Sequence, residues 1–415
     1  MPEIHIRPCR ALLGTVRISG SKNAALPIMA ATLLGDTPSV LQEIPTLSDV
    51  SNMLEILKKL GSEHMSLADG LYIDNTHIQK TEASYEDTGR LRASFLVAGP
   101  LLAKYGHFKI ALPGGCKIGT RPIDLHLKGF AALGAEISRA HGYVEARAAR
   151  LCGASIYLDF PSVGATENIM MAACLADGQT VIENAAVEPE ITDLATFLSR
   201  MGAEVRGAGT DTIKIQGKSS LSGARHAIIP DRIEAGTFMV ATAISGGHVE
   251  IQNIVPEHLK PLSAKLREMG VQITEGASSA LVEAGDELFP TDIKTLPFPG
   301  FPTDMQAQLC ALMSVAQGTG IITETVFENR FMHVNELRRM GADITIEGHA
   351  AIVKGKAHLT GTRVSATDLR AGAALVLAGL RAEGETEIRE AEHIFRGYAD
   401  LPQKLRALGA DIWIL

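Results

Sequence analysis

The stretch FLSRMGAEVRG, residues 197–207, recurs along the chain as KLREMGVQIT (265–274), ELRRMGADIT (336–345) and KLRALGADIWI (404–414). In each copy leucine and methionine at helical spacing run into a glycine, and an alternating apolar stretch follows. That order reads as a helix, a left-handed C-cap and a half-buried strand. Looser copies surround two earlier glycines, so the set stands at 61, 134, 202, 270, 341 and 409, in steps of 73, 68, 68, 71 and 68 residues. Upstream of each glycine lies a second, more apolar segment with a polar start: KNAALPIMAATLL, LRASFLVAGPLLA, ATENIMMAACLA, RIEAGTFMVATAIS, PTDMQAQLCALMSVA and ATDLRAGAALVLAGL. These are apolar nearly all round and predict buried helices. Stretches rich in β-branched residues, such as TVIENAAVEP, HVEIQNIVP, GIITETVFE and ETEIREAEH, separate the two helices in several copies. The repeat is therefore βαβαββ, about 70 residues long and present six times, which predicts an α/β protein of two similar three-repeat domains. No Pro/Gly/Ser linker divides them. The main crossover is placed near Asp231, giving 22–230 as the first domain and 1–21 plus 231–415 as the second.

Composition narrows the function. With 415 residues and 46% hydrophobic content, the chain has ample material for real cores. A net charge of -8, from 39 basic and 47 acidic residues spread without blocks, argues against bulk nucleic-acid binding. No apolar run approaches the ~18 residues of a membrane span, and Glu3, Arg7 and Arg10 interrupt any signal-peptide pattern, so a cytosolic protein is expected. Cysteines at 9, 116, 152, 174 and 310 are scattered and lack a CxxC pair, which suggests reduced thiols without a zinc site.

Six equivalent buried helices would point their free N–H groups and partial positive charge toward one region, a favourable setting for anions. Lys22 and Asn23, Arg92, Glu167 and Asn168, Glu234, Asp304, and Arg370 stand at or beside those starts. Most are not the Ser, Thr, Asp or Asn that a merely structural cap would require. The second landmark is ALPGGCKIGTRPIDLH, residues 111–126, whose glycines and prolines describe a loop. Cys116 sits within it beside Lys117 and five residues from Arg121, cations that favour a thiolate; Cys174 and Cys310 lie inside apolar helices and read as core.

The segments SGSKNAALPIMAATLL, LRAS, LPGGCKIGTRPIDLH, SVGAT, IENAAVEPEI, PDRIEAGTF, FPTDMQAQ, TETVFENRFMHV, ATDLRA and RGY, in this order, closely resemble the UDP-N-acetylglucosamine 1-carboxyvinyltransferase family of enolpyruvyl transferases. The resemblance runs almost end to end. It implies the two-domain inside-out α/β barrel of that family, with the active site in the cleft between domains and no cofactor or metal. Its substrates would be phosphoenolpyruvate and UDP-N-acetylglucosamine, with no nucleic-acid or membrane partner. By the same resemblance Lys22, Asn23, Arg121 and Arg396 would hold phosphoenolpyruvate, with Arg92 and Arg370 around it. Asn23, Arg92, Arg121, Pro122, Ile123, Asp124, Leu125, Ser162, Val163, Gly164, Asp304 and Val326 would line the UDP-sugar. Asp304 would be the base near the sugar 3-hydroxyl, and Cys116 the acid and covalent trap; Lys22 and Arg396 complete the catalytic set. Phe160 and Ser48 stand where family members often carry lysine, so the contact to the diphosphate expected from those positions is not carried over. The sister enzyme 5-enolpyruvylshikimate-3-phosphate synthase shares the fold and reaction type, and the PGGC loop and TETVFENRF favour the UDP-sugar branch.

The residue types suit this chemistry. Two polyanionic substrates on an acidic protein require cations concentrated locally, and arginine pairs bidentately with carboxylate or phosphate where lysine acts as a point charge. Glu188, Glu190 and Glu328 are expected to order arginines, and His126, His333 and His393 to serve the scaffold or surface.

Overall fold

Each of the six repeated glycines closes a helix with φ between 92° and 116°, a region that strongly disfavours a Cβ. The helices they end are Ser48–Leu60, Asp124–Ala132, Pro189–Arg200, Lys260–Glu268, His333–Arg339 and Leu401–Ala407. Each chain then turns directly into a strand: Glu63–Leu67, Glu136–Ala140, Glu204–Arg206, Gln272–Glu275, Asp343–Glu347 and Ile412–Ile414. The computed structural model describes residues 2–88, 91–112, 123–285 and 287–415, leaving out the side chains of Asp87 and Arg92. Cys116, Lys117, Arg121 and Pro122 lie outside the described residues, as does the side chain of Arg92.

Six four-stranded sheets are present among the described residues, and all share one order: a parallel outer pair, then two antiparallel neighbours. Ser155–Tyr157, for example, runs parallel to Gln179–Glu183, which pairs antiparallel with Thr212–Gln216, which carries Glu204–Arg206 at the edge. Three sheets draw their strands from consecutive sequence. The other three are closed by distant segments. Arg225–Ala227 lies parallel to Ser39–Gln42, Leu12–Arg17 lies parallel to Gly247–Gln252, and Ile4–Ile6 fits between Thr386–Arg389 and Ile412–Ile414. The repeats are thus not six consecutive blocks; the strand that completes the Gly61 repeat arrives from residues 225–227.

The described residues form two compact units, 2–19 with 230–415 and 20–112 with 123–229. Within each, sheets alternate a buried and a wetter face while the apolar helices are buried nearly all round, as in Arg232–Ser245, where all but Arg232 are buried. In the 230–415 unit that helix packs against Gln306–Met313 and Leu369–Arg381. In the other unit Ala98–Tyr105 packs on Val163–Ala173 so closely that a Cβ at Gly99 would lie 2.4 Å from the Asn168 carbonyl oxygen. Such contact demands glycine, and the interior is filled on both sides of each helix.

The expectation about helix starts needs correction. Ordinary caps do the capping: Ser21, Ser162, Asp231 and Asp368 accept from backbone N–H groups of the first turn. Glu167 and Asn168 lie in the second turn of Val163–Ala173. Arg92 opens the short 3-10 turn Arg92–Val97 and Asp304 is the middle residue of Thr303–Met305; both turns lead into helices. The apolar period locates a helix to within a turn, and hydrogen-bonding chemistry then chooses the cap.

Candidate active site

In the 230–415 unit the Thr303–Met305 turn presents Asp304 with its side chain about one quarter exposed (26%). Arg330 Nη2 donates to Oδ1 at 2.6 Å, and Arg370 donates to Oδ2 through Nη2 at 3.0 Å and Nε at 3.3 Å. Both guanidinium groups are buried, so charge-assisted bonds hold the partly exposed carboxylate in place. Arg370 follows its cap Asp368 by two residues, which aims it inward, and its guanidinium stacks 5.2 Å from the ring of buried Tyr398. The Tyr398 hydroxyl meets Thr237 Oγ1 at 3.0 Å and accepts from Gln308 Nε2 at 3.0 Å. Gln308 also donates to the Asp304 carbonyl at 2.9 Å. Arg396 ends the 3-10 segment Ala391–Arg396 and is partly exposed, and Val326 is partly exposed beyond the strand Thr319–Thr323.

In the other unit Lys22 opens the helix Lys22–Ala31, where Asn23 is the one residue of ten not buried. Lys22 Nζ donates to Asp49 Oδ2 at 3.4 Å, and both side chains are almost fully buried. Asp49 sits in the first turn of Ser48–Leu60. The helix Asp124–Ala132, which follows Ile123 and carries Asp124 and Leu125, packs on Val163–Ala173, which follows Ser162 and carries Gly164; a Cβ at Gly164 would meet the His126 ring at 3.2 Å. Asp124 is exposed and paired with Arg139. Ser162 spends its hydroxyl as a cap to Ala165 N, while Phe160, two residues earlier, is 47% exposed.

Several acidic and imidazole groups have been absorbed into scaffold. Asn168 stitches two helices, accepting from Gly99 N at 2.8 Å and donating to the Phe95 carbonyl at 3.1 Å. It also reaches His126 Nδ1 at 2.9 Å, and burial lowers the affinity of that ring for a proton. His333, deep in its unit, is pushed down to about 4 by burial and stays neutral. His393 is partly exposed, 3.7 Å from Glu390. Glu234 accepts from Ser19 N at 2.8 Å and Lys404 Nζ at 2.5 Å, which makes it a structural anchor. Glu167 is buried, and desolvation, then the charges of Glu190 and Glu188, hold its carboxyl well above the ordinary range. Glu188 and Glu190 are buried in the start of Pro189–Arg200, and Glu328 is exposed.

Sequence reasoning missed Asp49, Arg330, Tyr398 and Gln308. Asp49 reads as a first-turn carboxylate of an amphipathic helix, and Arg330 as one more charge in TVFENRF; no local signal sets them apart. An open depression of about 760 Å³ lined by His107, Glu136, Arg147 and Arg150 contains none of the predicted site residues. Among the described residues no group of three or more His, Cys, Asp or Glu is arranged to hold a metal ion, and no helix is long and apolar enough to cross a membrane.

A family model described as EPSP synthase (3-phosphoshikimate 1-carboxyvinyltransferase) matches residues 6–405. The chain belongs to this family of enolpyruvyl transferases. UDP-N-acetylglucosamine 1-carboxyvinyltransferase 1 of Caldanaerobacter subterraneus subsp. tengcongensis is 61% identical over 402 residues, covering 97% of each chain. UDP-N-acetylglucosamine 1-carboxyvinyltransferase of Halothermothrix orenii is 57% identical, covering 99% of each. Among solved structures, the enolpyruvyl transferase NikO from Streptomyces tendae superposes with a TM-score of 0.90 at 27% identity, over 100% of this chain and 98% of that one. EPSP synthase from Acinetobacter baumannii gives 0.78 at 18% identity over the full length of both, a likeness of fold. The inside-out α/β architecture that the resemblance implies is the fold of this family, and the sixfold βαβαββ repeat read from the sequence agrees with it.

Proposed function

We propose that this chain transfers the enolpyruvyl group of phosphoenolpyruvate to the 3-hydroxyl of UDP-N-acetylglucosamine, releasing phosphate, in the cytoplasm and as the opening step of peptidoglycan precursor synthesis. The observation that carries the reading is identity of 56–61%, along 97–99% of the chain, to relatives bearing the name of that activity. Partly exposed Asp304 between two arginines, and Lys22 next in sequence to partly exposed Asn23, support it with suitable chemistry.

Asp304 accepts the proton of the 3-hydroxyl as its oxygen bonds to C2 of phosphoenolpyruvate, and Cys116 delivers a proton to the methylene carbon. The tetrahedral adduct then loses phosphate from C2 while the Cys116 thiolate takes back a proton from the methyl carbon, whose C–H electron pair restores the double bond. Lys22, Arg92, Arg121, Arg370 and Arg396 neutralise the carboxylate and phosphate, with Asn23 contributing its amide. Ile123 to Leu125, Ser162 to Gly164, Pro122 and Val326 line the UDP-sugar. Residues of both units are required, so domains 22–230 and 1–21 plus 231–415 act as one enzyme.

Phosphate release from phosphoenolpyruvate with UDP-N-acetylglucosamine, set against shikimate-3-phosphate, tests the assignment; faster release with the shikimate would reverse it. Binding of the UDP-sugar without phosphate release would mark a sensor instead. Cys116→Asp should retain transfer and lose alkylation by a phosphonate epoxide, whereas Cys116→Ser should be far slower because a hydroxyl is a weak acid. Equal inactivity of the two, with both substrates bound, would require a thiol adduct in place of proton donation.

A further inference from the structure

We propose that Glu324 is a positioning residue that fixes Asp304 and the Val326 backbone in one substrate-facing arrangement, an inference that rests on the function proposed above. Glu324 is 1% exposed at the end of the strand Thr319–Thr323. Its Oε1 accepts from Thr295 Oγ1 at 2.8 Å, Val326 N at 2.8 Å and Phe327 N at 3.2 Å. Its Oε2 accepts from Thr303 Oγ1 at 2.8 Å. Thr303 in turn accepts from Arg330 Nη1 at 2.9 Å, and the other arm of Arg330 donates to Asp304 at 2.6 Å.

One buried carboxylate therefore ties together two segments, PTDMQAQ and TETVFENRF, that each carry a candidate substrate contact. Burying an ionised carboxylate is unfavourable unless donors surround it, and here four do. The chain Glu324, Thr303, Arg330, Asp304, Arg370 alternates anion and cation with one hydroxyl between. Removing the first charge leaves Arg330 to draw more strongly on Asp304. The Oε1 side orients the Val326 and Phe327 amides; the Oε2 side governs Arg330 and Asp304. These two tasks separate experimentally.

Glu324→Gln keeps a carbonyl oxygen for the two backbone amides but replaces the charged acceptor facing Thr303. Turnover should fall ~10-fold while KM for UDP-N-acetylglucosamine stays within ~2-fold. Glu324→Ala should raise that KM ~10-fold as well, because the Val326 backbone is released. Thr303→Val cuts the link to Arg330 alone and should match Glu324→Gln; combined, the two changes should stay within ~2-fold of either single variant. Amide exchange at Val326 and Phe327 should be unchanged in Glu324→Gln and ~10-fold faster in Glu324→Ala. Identical kinetic changes in the Gln and Ala variants, or multiplying effects of Glu324→Gln and Thr303→Val, would overturn the proposal. If the unaltered enzyme releases no phosphate from the two substrates, the functional reading itself fails. The anchor is then judged by exchange alone, and unchanged exchange in Glu324→Ala overturns it.

Discussion

In the 230–415 unit Asp304 keeps a quarter of its side chain in solvent with an arginine on each carboxylate oxygen, whereas in the other unit Glu167 is 4% exposed beside two further glutamates. Both residues stand near the start of a buried helix, in the same kind of repeat. One carboxylate has an arginine on each oxygen; burial and like charge penalise ionisation of the other and raise its pKa. A carboxylate at a given place in this repeat therefore has no fixed chemical meaning. Its surroundings assign the charge.

The sharpest way to break this contrast is to neutralise each carboxylate. Asp304→Asn should lower turnover ~100-fold or more while UDP-N-acetylglucosamine affinity, measured by calorimetry, stays largely intact. Thermal stability should fall too, because Arg330 and Arg370 lose the anion they surround. Near-normal turnover would remove Asp304 from the role of base.

Glu167→Gln should behave in the opposite sense and preserve the fold. The native state holds a proton on Glu167 that the unfolded chain releases above its ordinary value near 4.5. Stability from this group is thus complete below that pH and declines as pH rises toward the raised native value, by ~1.4 kcal/mol per unit while the two states differ by one proton. Glutamine has no proton to lose. Urea unfolding of the two proteins should show the variant gaining on the original as pH rises above the ordinary glutamate range, at up to ~1.4 kcal/mol per unit until the native state also ionises. A difference independent of pH would mean that Glu167 is ionised in the native state.

The smallest effect uses one buried cysteine in each unit. Burial pushes the thiols of both Cys174 and Cys310 up to about 12, so at pH 7–9 they react only when their helices open. Exposed Cys152 should be alkylated long before either. Because Cys174 ends the helix that carries Glu167, its labelling rate relative to Cys310 should rise over the pH range in which the original loses stability relative to Glu167→Gln, and Glu167→Gln should abolish the rise. Mass spectrometry of tryptic peptides reads the ratio directly; a constant ratio would show that the two units open together.

The contrast also explains what could be read early. Helical and strand periods, and a glycine where φ must be positive, act within a few residues, so six copies of FLSRMGAEVRG and its relatives announce their helices, turns and strands. Lys22, Asn23, Asp304 and Arg370 were legible because cations, an amide and an acid stood out at the heads of apolar helices. Arg330 and Glu324 were not, since their meaning comes from Thr303 and Asp304, 21 to 27 residues away in sequence and 2.6–2.9 Å away in space.

The sequence by itself determined the repeat, its period, its secondary structure and the family to which the chain belongs, because each rests on local patterning or on the residues themselves. Only the tertiary structure decided that Arg225–Ala227 completes the sheet of Ser39–Gln42, that Ile4–Ile6 sits between two C-terminal strands, and that Glu234 serves Lys404 rather than a substrate. Parallel pairing leaves no spacing signature in the chain, and the charge of a buried carboxyl depends on which donors or anions folding places within a few ångströms of it.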